Sequence, residues 1–158
     1  MPRTAELVAL TPIRAEAAAD FEAMRLIRNA GREWYTRDTR HISADAQRAW
    51  ASVVRRSGDT QRAYVYDVPG SGIVGFGLLR LTPRDGCWYA TLGVAPEDQG
   101  KGYGQAIYRH LAGRVDADVY AEILRANLPS LLAAQRAGYE LDGQDERTVT
   151  MVRRHEER

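Results

Sequence analysis

The chain has 158 residues and a mass of 17.6 kDa, the size of one ordinary domain, so residues 1–158 are expected to fold as a single unit around a sizeable core. Apolar residues make up 44% and charged residues 27%, and the absence of any run of about eighteen apolar residues excludes a hydrophobic helical span, so no membrane partner is expected. The formal net charge of +1 argues against a general nucleic-acid binder, whose affinity comes from neutralising many phosphates.

In chain order, residues 1–10 carry an arginine and a glutamate and lack a continuous apolar stretch followed by a cleavage site, so no signal peptide is read and a cytoplasmic location is expected. Glu6–Leu10 is apolar enough for a first strand, which Thr11-Pro12 is expected to break. From Ala15 to Asn29 the apolar residues Ala18, Phe21, Met24, Leu26 and Ile27 recur at roughly helical spacing. Ser43 is a good N-cap for a second helix, Ala44 to Arg56, with Trp50 and Val53 on one side. Between Met24 and Arg56 eight arginines face three acidic residues, so this stretch is locally basic although the whole chain is nearly neutral.

The period then shortens. Arg62–Val68 and Ile73–Leu81, joined by a Pro69-Gly70 turn, read as a hairpin, and Cys87–Val94 as a third strand of an antiparallel meander. Cys87 is the only cysteine, which excludes an internal disulfide and a cysteine zinc site, and on a strand it reads as a small buried hydrophobe. His41, His110 and His155 are too scattered for metal spacing, so no metal is expected. A helix from about Gln105 to Ala112, a strand at Asp118–Leu124, a helix at Leu128–Ala137 and closing strands at Tyr139–Asp142 and Thr148–Val152 complete a mixed α+β order.

Two glycine-rich loops compete for a phosphate. Gly70 to Gly75 matches G-x-G-x-x-G, but a strand follows it where a dinucleotide site needs a helix N-terminus, so it reads as a hairpin turn. Gln99-Gly100-Lys101-Gly102-Tyr103-Gly104 has a strand before it and an amphipathic helix after it, so its backbone N–H groups are able to curl around an anion at the positive end of a helix. Gly102 after Lys101, in place of Ser or Thr, and Ala95 in place of a first glycine disfavour a nucleoside triphosphate, leaving either a pyrophosphate-bearing cofactor or a ligand-free turn.

Gln99 to Gly104 resembles the Q/R-x-x-G-x-G/A signature of the GNAT acetyltransferases. Asn127, Ser130, Gly138 and Tyr139 stand at the offsets at which that family carries its downstream asparagine, small residue and Gly-aromatic pair, and the look is nearest to the ribosomal-protein and amino-sugar branches. The resemblance implies a mostly antiparallel mixed sheet of about seven strands with flanking helices, its fourth and fifth strands splayed, and acetyl-CoA as co-substrate. It implies that the backbone of Leu92, Gly93 and Val94 pairs with the pantetheine arm, and that Gln99, Gly100, Lys101, Gly102, Tyr103, Gly104 and Gln105 hold the pyrophosphate. Asn127 and Ser130 line the cofactor's far side. Glu122, five residues before Asn127, matches the family's general base, and a strand otherwise apolar is expected to desolvate it and raise its basicity.

The family's usual general acid, a tyrosine seven residues after the asparagine, is replaced by Ala134, which leaves water, Tyr139 or Tyr103 to serve or no acid at all. On the acceptor side the resemblance brings Arg28, Asn29, Arg32, Trp34 and Tyr35, with Arg37, Asp38 and Arg40 nearby; arginines beside aromatic faces suit an anionic or phosphate-bearing acceptor. The reading is therefore an acetyl-CoA-dependent N-acetyltransferase acting on a primary amine of a small molecule or nucleotide sugar by direct attack, as monomer or homodimer. The alternatives are a protein N-terminal or lysine acetyltransferase, a non-catalytic acyl-CoA sensor motivated by Ala134, and, weakest, a nucleic-acid module built on the basic stretch.

Overall fold

The computed structural model describes residues 10–156. The strand expected at Glu6–Leu10 therefore lies, but for its last residue, outside the described residues. The first strand found is β1, Thr11–Arg14, on the very residues expected to break one. Proline is tolerated there because β1 is the outer strand of the sheet and pairs only with β2 (Gln61–Val68), so a missing N–H leaves no central ladder broken.

Among the described residues seven strands form one sheet in the order β1-β2-β3-β4-β5-β7-β6, with β3 at Gly72–Leu81, β4 at Trp88–Val94, β5 at Val119–Leu124, β6 at Glu140–Gln144 and β7 at Thr148–Arg153. All neighbours are antiparallel except β4 and β5, which run parallel. Helices α1 (Ala18–Ala30) and α2 (Ala44–Arg56) are followed, after β4, by α3 (Tyr103–Ala112) and α4 (Leu128–Arg136).

Strand alternation divides the core between the two faces. On one face Ala63, Val65 and Phe76 pack under Phe21, Met24 and Ile27 of α1 and Ala51 and Val54 of α2. On the other, Tyr64, Tyr66, Leu79, Ala121 and Ile123 pack under Ile107 and Leu111 of α3 and Ala134 of α4. In α2 the inward residue is Val54, 3% exposed, whereas Val53 is 40% exposed. Gly75 serves this packing, since a Cβ there would lie 2.8 Å from the Gly93 carbonyl oxygen and 2.9 Å from Ile107. Cys87 precedes β4, is only half-buried, and points its Sγ at the Asp85 carbonyl, so it is not the core residue expected.

Candidate active site

The site begins as a fault in the sheet. β4 and β5 pair only at Trp88↔Val119 and Tyr89↔Tyr120, after which the two parallel strands part. The Ala95 N–H donates to the Val74 carbonyl on the β3 side, and antiparallel alternation then assigns the main-chain groups of Gly93 and Thr91 to β3 as well. Leu92 and Val94 turn theirs into the gap. Of the three residues expected to offer backbone there, these two do so. Gly93 contributes differently: a Cβ on it would lie 2.5 Å from the Tyr35 hydroxyl and 2.6 Å from Phe76.

Two helices start at the open end of the gap, because the chain turns into α3 after β4 and into α4 after β5. The entry to α3 is built from Gly100 at φ +79° and Gly102 at φ +86°, and no side chain caps it. Its first N–H groups, at Tyr103, Gly104 and Gln105, are thus presented around the left-handed turn as donors for an anion. Gly104 faces α4, where a Cβ at that position would make an ordinary 3.5 Å contact with Ala133. The Gln99 side chain turns back to donate to the Val94 carbonyl at 3.3 Å, so it braces the loop against β4. Lys101 lies 3.4 Å from the buried carboxylate of Asp98, which fixes the chain's only lysine beside the loop.

The entry to α4 is capped: Asn127 Oδ1 accepts from the Ser130 N–H at 3.4 Å. The Ser130 hydroxyl is 2.6 Å from that of Tyr108, a buried α3 residue whose phenol burial pushes up to about 12 against the opposing effect of the Ser130 bond. Ala134 is fully buried on the inner side of α4, and Tyr139 spends its hydroxyl on the Tyr108 carbonyl at 2.9 Å, which removes it as a proton donor in the gap.

Glu122 stands on the α1/α2 face of β5, two residues past the last pair with β4. The apolar strand around it is not its whole environment, because an arginine far away in sequence reaches it. Arg37 reaches across from the loop after α1 and donates to both its oxygens, Nε to Oε1 at 2.8 Å and Nη2 to Oε2 at 3.0 Å. Glu122 in turn raises the Arg37 pKa, first through this hydrogen bond and then through its charge. A carboxylate has about four lone-pair positions, so two remain for a water or an amine.

The acceptor residues expected from the sequence separate into distinct roles. Tyr35 is at the gap, its hydroxyl donating to the Leu92 carbonyl at 3.3 Å and its ring stacked near Phe76; burial pushes its pKa up. Arg28 lays its guanidinium over the Tyr35 ring, 4.3 Å from the centroid, and donates from Nη2 to the Asp38 carbonyl. Asn29 clamps the loop: its side chain donates to the Ile42 carbonyl at 2.9 Å and accepts from the Ile42 N–H at 2.8 Å. Arg32 and Trp34, in a short 3-10 turn at Arg32–Trp34, are exposed, Trp34 by 46%.

Beside Arg28 a cavity of about 500 Å³ opens between α1, α2 and the loop on one side and β3 and β4 on the other. Tyr89 and Thr91 form its wall toward the gap. The sequence reading missed Arg80, His41 and Tyr89 as lining residues. Alternation along β3 and β4 places Arg80 and Tyr89 on this face, whereas His41 depends on the course of an irregular loop.

A family profile described as Acetyltransferase (GNAT) family matches residues 22–139. A search of curated protein sequences finds no match. Among solved structures the chain is similar to a phosphinothricin acetyltransferase from Sinorhizobium meliloti in complex with acetyl-CoA, with 20% identity, 94% of this chain and 89% of that one covered, and a TM-score of 0.80. It is similar to a spermidine N-acetyltransferase from Vibrio cholerae in complex with CoA and spermine, at 15% identity over 90% and 94% of the two chains and a TM-score of 0.75. A ribosomal-protein-alanine N-acetyltransferase from Brucella melitensis matches at 19% identity, covering 91% and 99%, with a TM-score of 0.75.

Proposed function

Because this chain belongs to the acetyltransferase (GNAT) family of acyltransferases, we propose that it transfers the acetyl group of acetyl-CoA to a primary amine of a small molecule or nucleotide sugar by direct attack. The observation that carries this is the parting of β4 from β5 after two residue pairs, with two helix N-termini at its open end. A gap between parallel strands offers backbone donors and acceptors to an extended arm, and the uncapped start of α3 suits a pyrophosphate.

In this reading Leu92 and Val94 pair with the pantetheine arm, and Gly93 keeps the floor of the gap flat. The N–H groups from Gly100 to Gln105 hold the pyrophosphate. Gln99 and the Lys101–Asp98 pair brace that loop, and Asn127 and Ser130 line the opposite side. An alkylammonium of pKa about 10 is neutral in only about one part in a thousand at pH 7, so freeing its lone pair costs roughly 4 kcal/mol. Glu122 takes that proton, directly or through water, while Arg37 holds its carboxylate in one orientation. The amine nitrogen forms its bond to the acetyl carbon, the C–S bond breaks with its electron pair leaving on the CoA sulfur, and the second proton of the attacking nitrogen passes to that thiolate directly or through water, giving a neutral amide and CoA thiol. A thiolate whose acid has pKa about 8.5 is a competent leaving group near neutral pH, consistent with Ala134 where a side-chain acid would stand.

The test is thiol release from acetyl-CoA over a panel of amines. Wild type releases thiol with at least one amine, and Glu122→Gln lowers kcat/KM by about 100-fold or more and flattens its rise with pH. Full activity in Glu122→Gln from about pH 6 to pH 9 overturns the base assignment. CoA binding without turnover of any amine overturns the transfer reading in favour of an acyl-CoA sensor.

A further inference from the structure

We infer that the 500 Å³ cavity selects acceptors whose primary amine is joined to an anionic oxyacid group, a carboxylate or a phosphate, and that Arg28 and Arg80 read the anion. This rests on the acetyl-transfer reading above and names the class of acceptor it takes.

The charge census of the cavity wall carries the inference. Arg28, Arg40, Arg62 and Arg80 line it against the single carboxylate of Asp38. Asp38 is consumed by Arg40, which donates from Nε and Nη2 to its two oxygens at 3.0 Å each and holds its pKa down to about 2. Arg62 turns its donors to the carbonyls of Gly58 and Arg114. Arg28 and Arg80 are left without an ion-pair partner among the described residues. Among the described residues the buried Arg28 Nε–H has no hydrogen-bond partner and only Nη2 is engaged, by the Asp38 carbonyl, so the guanidinium keeps unused donors where buried donors are normally paired. A planar fork carried over an aromatic ring, 4.3 Å from its centroid, is positioned in advance for an oxyanion.

The same geometry says where the amine lies. Extending the Tyr89↔Tyr120 pairing along both strands brings Thr91, in the cavity wall, level with Glu122 across the gap. Glu122 and Arg37 do not line the cavity themselves; its wall at Tyr89 and Thr91 is the side toward Glu122, and the arginines without an ion pair among the described residues, Arg28 and Arg80, line it elsewhere. Arg28 stacks on Tyr35, whose hydroxyl bonds Leu92 in the gap, so the anion-reading group stands one aromatic ring from the acetyl site. A dipolar molecule, ammonium toward Glu122 and anion toward Arg28, matches this order. Met24, Trp50, Phe76 and Leu78 leave room for an apolar body between them.

The experiment uses matched acceptors with the full chain: phenylalanine against phenethylamine, O-phosphoethanolamine against ethanolamine, and spermidine as a polycation. Thiol release gives kcat/KM, and calorimetry with CoA present gives binding independently of turnover. We expect the anionic member of at least one pair to exceed its plain partner by about tenfold or more, and the pair that shows it identifies carboxylate or phosphate. Arg28→Lys, which keeps the charge but loses the fork, shrinks that ratio severalfold. Arg80→Gln, on the exposed surface of β3, does the same without touching the Arg28–Tyr35 stack. Turnover that favours plain amines or spermidine overturns the inference and leaves acetyl transfer standing. Anion binding that Arg28→Lys weakens severalfold, with no turnover of any amine, supports the anion-reading role of Arg28 but overturns acetyl transfer and with it the acceptor assignment; neither binding nor turnover overturns both.

Discussion

At the scale of single residues, the bidentate pair between Arg37 and Glu122 is the contact on which the proposed chemistry turns. Arg37→Ala is expected to lower kcat severalfold to about tenfold with little change in KM for acetyl-CoA, because it frees the carboxylate to reorient without removing it. An unchanged kcat would show the pair to be incidental. A second residue reports on stability. Burial first, and the Arg114 charge second, push His110 down to about 4 from its ordinary 6.5, and its Nδ1 lies 2.8 Å from the Tyr66 hydroxyl. Between those two values the unfolded chain binds a proton that the folded chain refuses, so this contribution is whole above about pH 6.5 and is lost as pH falls toward about 4. The loss is on the order of 2 kcal/mol once solvent screening of the half-buried ring is allowed for. Urea midpoints at about pH 5 and pH 7 should differ more in wild type than in His110→Gln; parallel behaviour contradicts the assignment.

At the scale of elements, the two helix starts make separate predictions. Gly102 holds φ +86° before the uncapped α3, so Gly102→Ala strains the turn by about 1–2 kcal/mol and should raise KM for acetyl-CoA at least tenfold or so while changing kcat less. Equal KM values in variant and wild type would remove this loop from the binding site. Asn127→Ala loses the cap on Ser130 and should cost about 1 kcal/mol in denaturant unfolding. These elements were the most legible part of the sequence, since α2 spans Ala44–Arg56 as expected and the loop from Gln99 to Gly104 bridges a strand and a helix as expected. The strand at Thr11–Arg14 was not legible, because proline's tolerance there depends on being at the sheet's edge, which only pairing reveals. Likewise Arg37 and Glu122 lie 85 residues apart, and no local pattern announces a contact at that separation. Asn29 looked like a ligand contact because an asparagine beside arginines carries the same signal whether it grips a substrate or a loop.

At the scale of the whole molecule, one sheet is held together across β4 and β5 by two residue pairs and by the helices packed over its faces. Acetyl-CoA laid in that gap would join the halves, so saturation at about 100 times Kd should stabilise the fold by about 2.7 kcal/mol and slow amide exchange at Leu92, Val94 and the start of α3. Stabilisation without protection at those amides would place the ligand elsewhere. The near-neutral total charge conceals the arrangement that matters, because the basic stretch supplies both the Arg37 that holds the proposed base and the Arg28 that faces the acceptor space. The central claim, that an amine attacks the acetyl thioester in the gap between β4 and β5, is tested most directly by acetyl-CoA labelled at the acetyl carbonyl, incubated with the full chain and the amine panel. The account predicts labelled amide on the amine nitrogen and free CoA in equal amounts, both suppressed in Glu122→Gln. Bound acetyl-CoA that releases no CoA with any amine, or an amide yield that Glu122→Gln leaves intact, would contradict it.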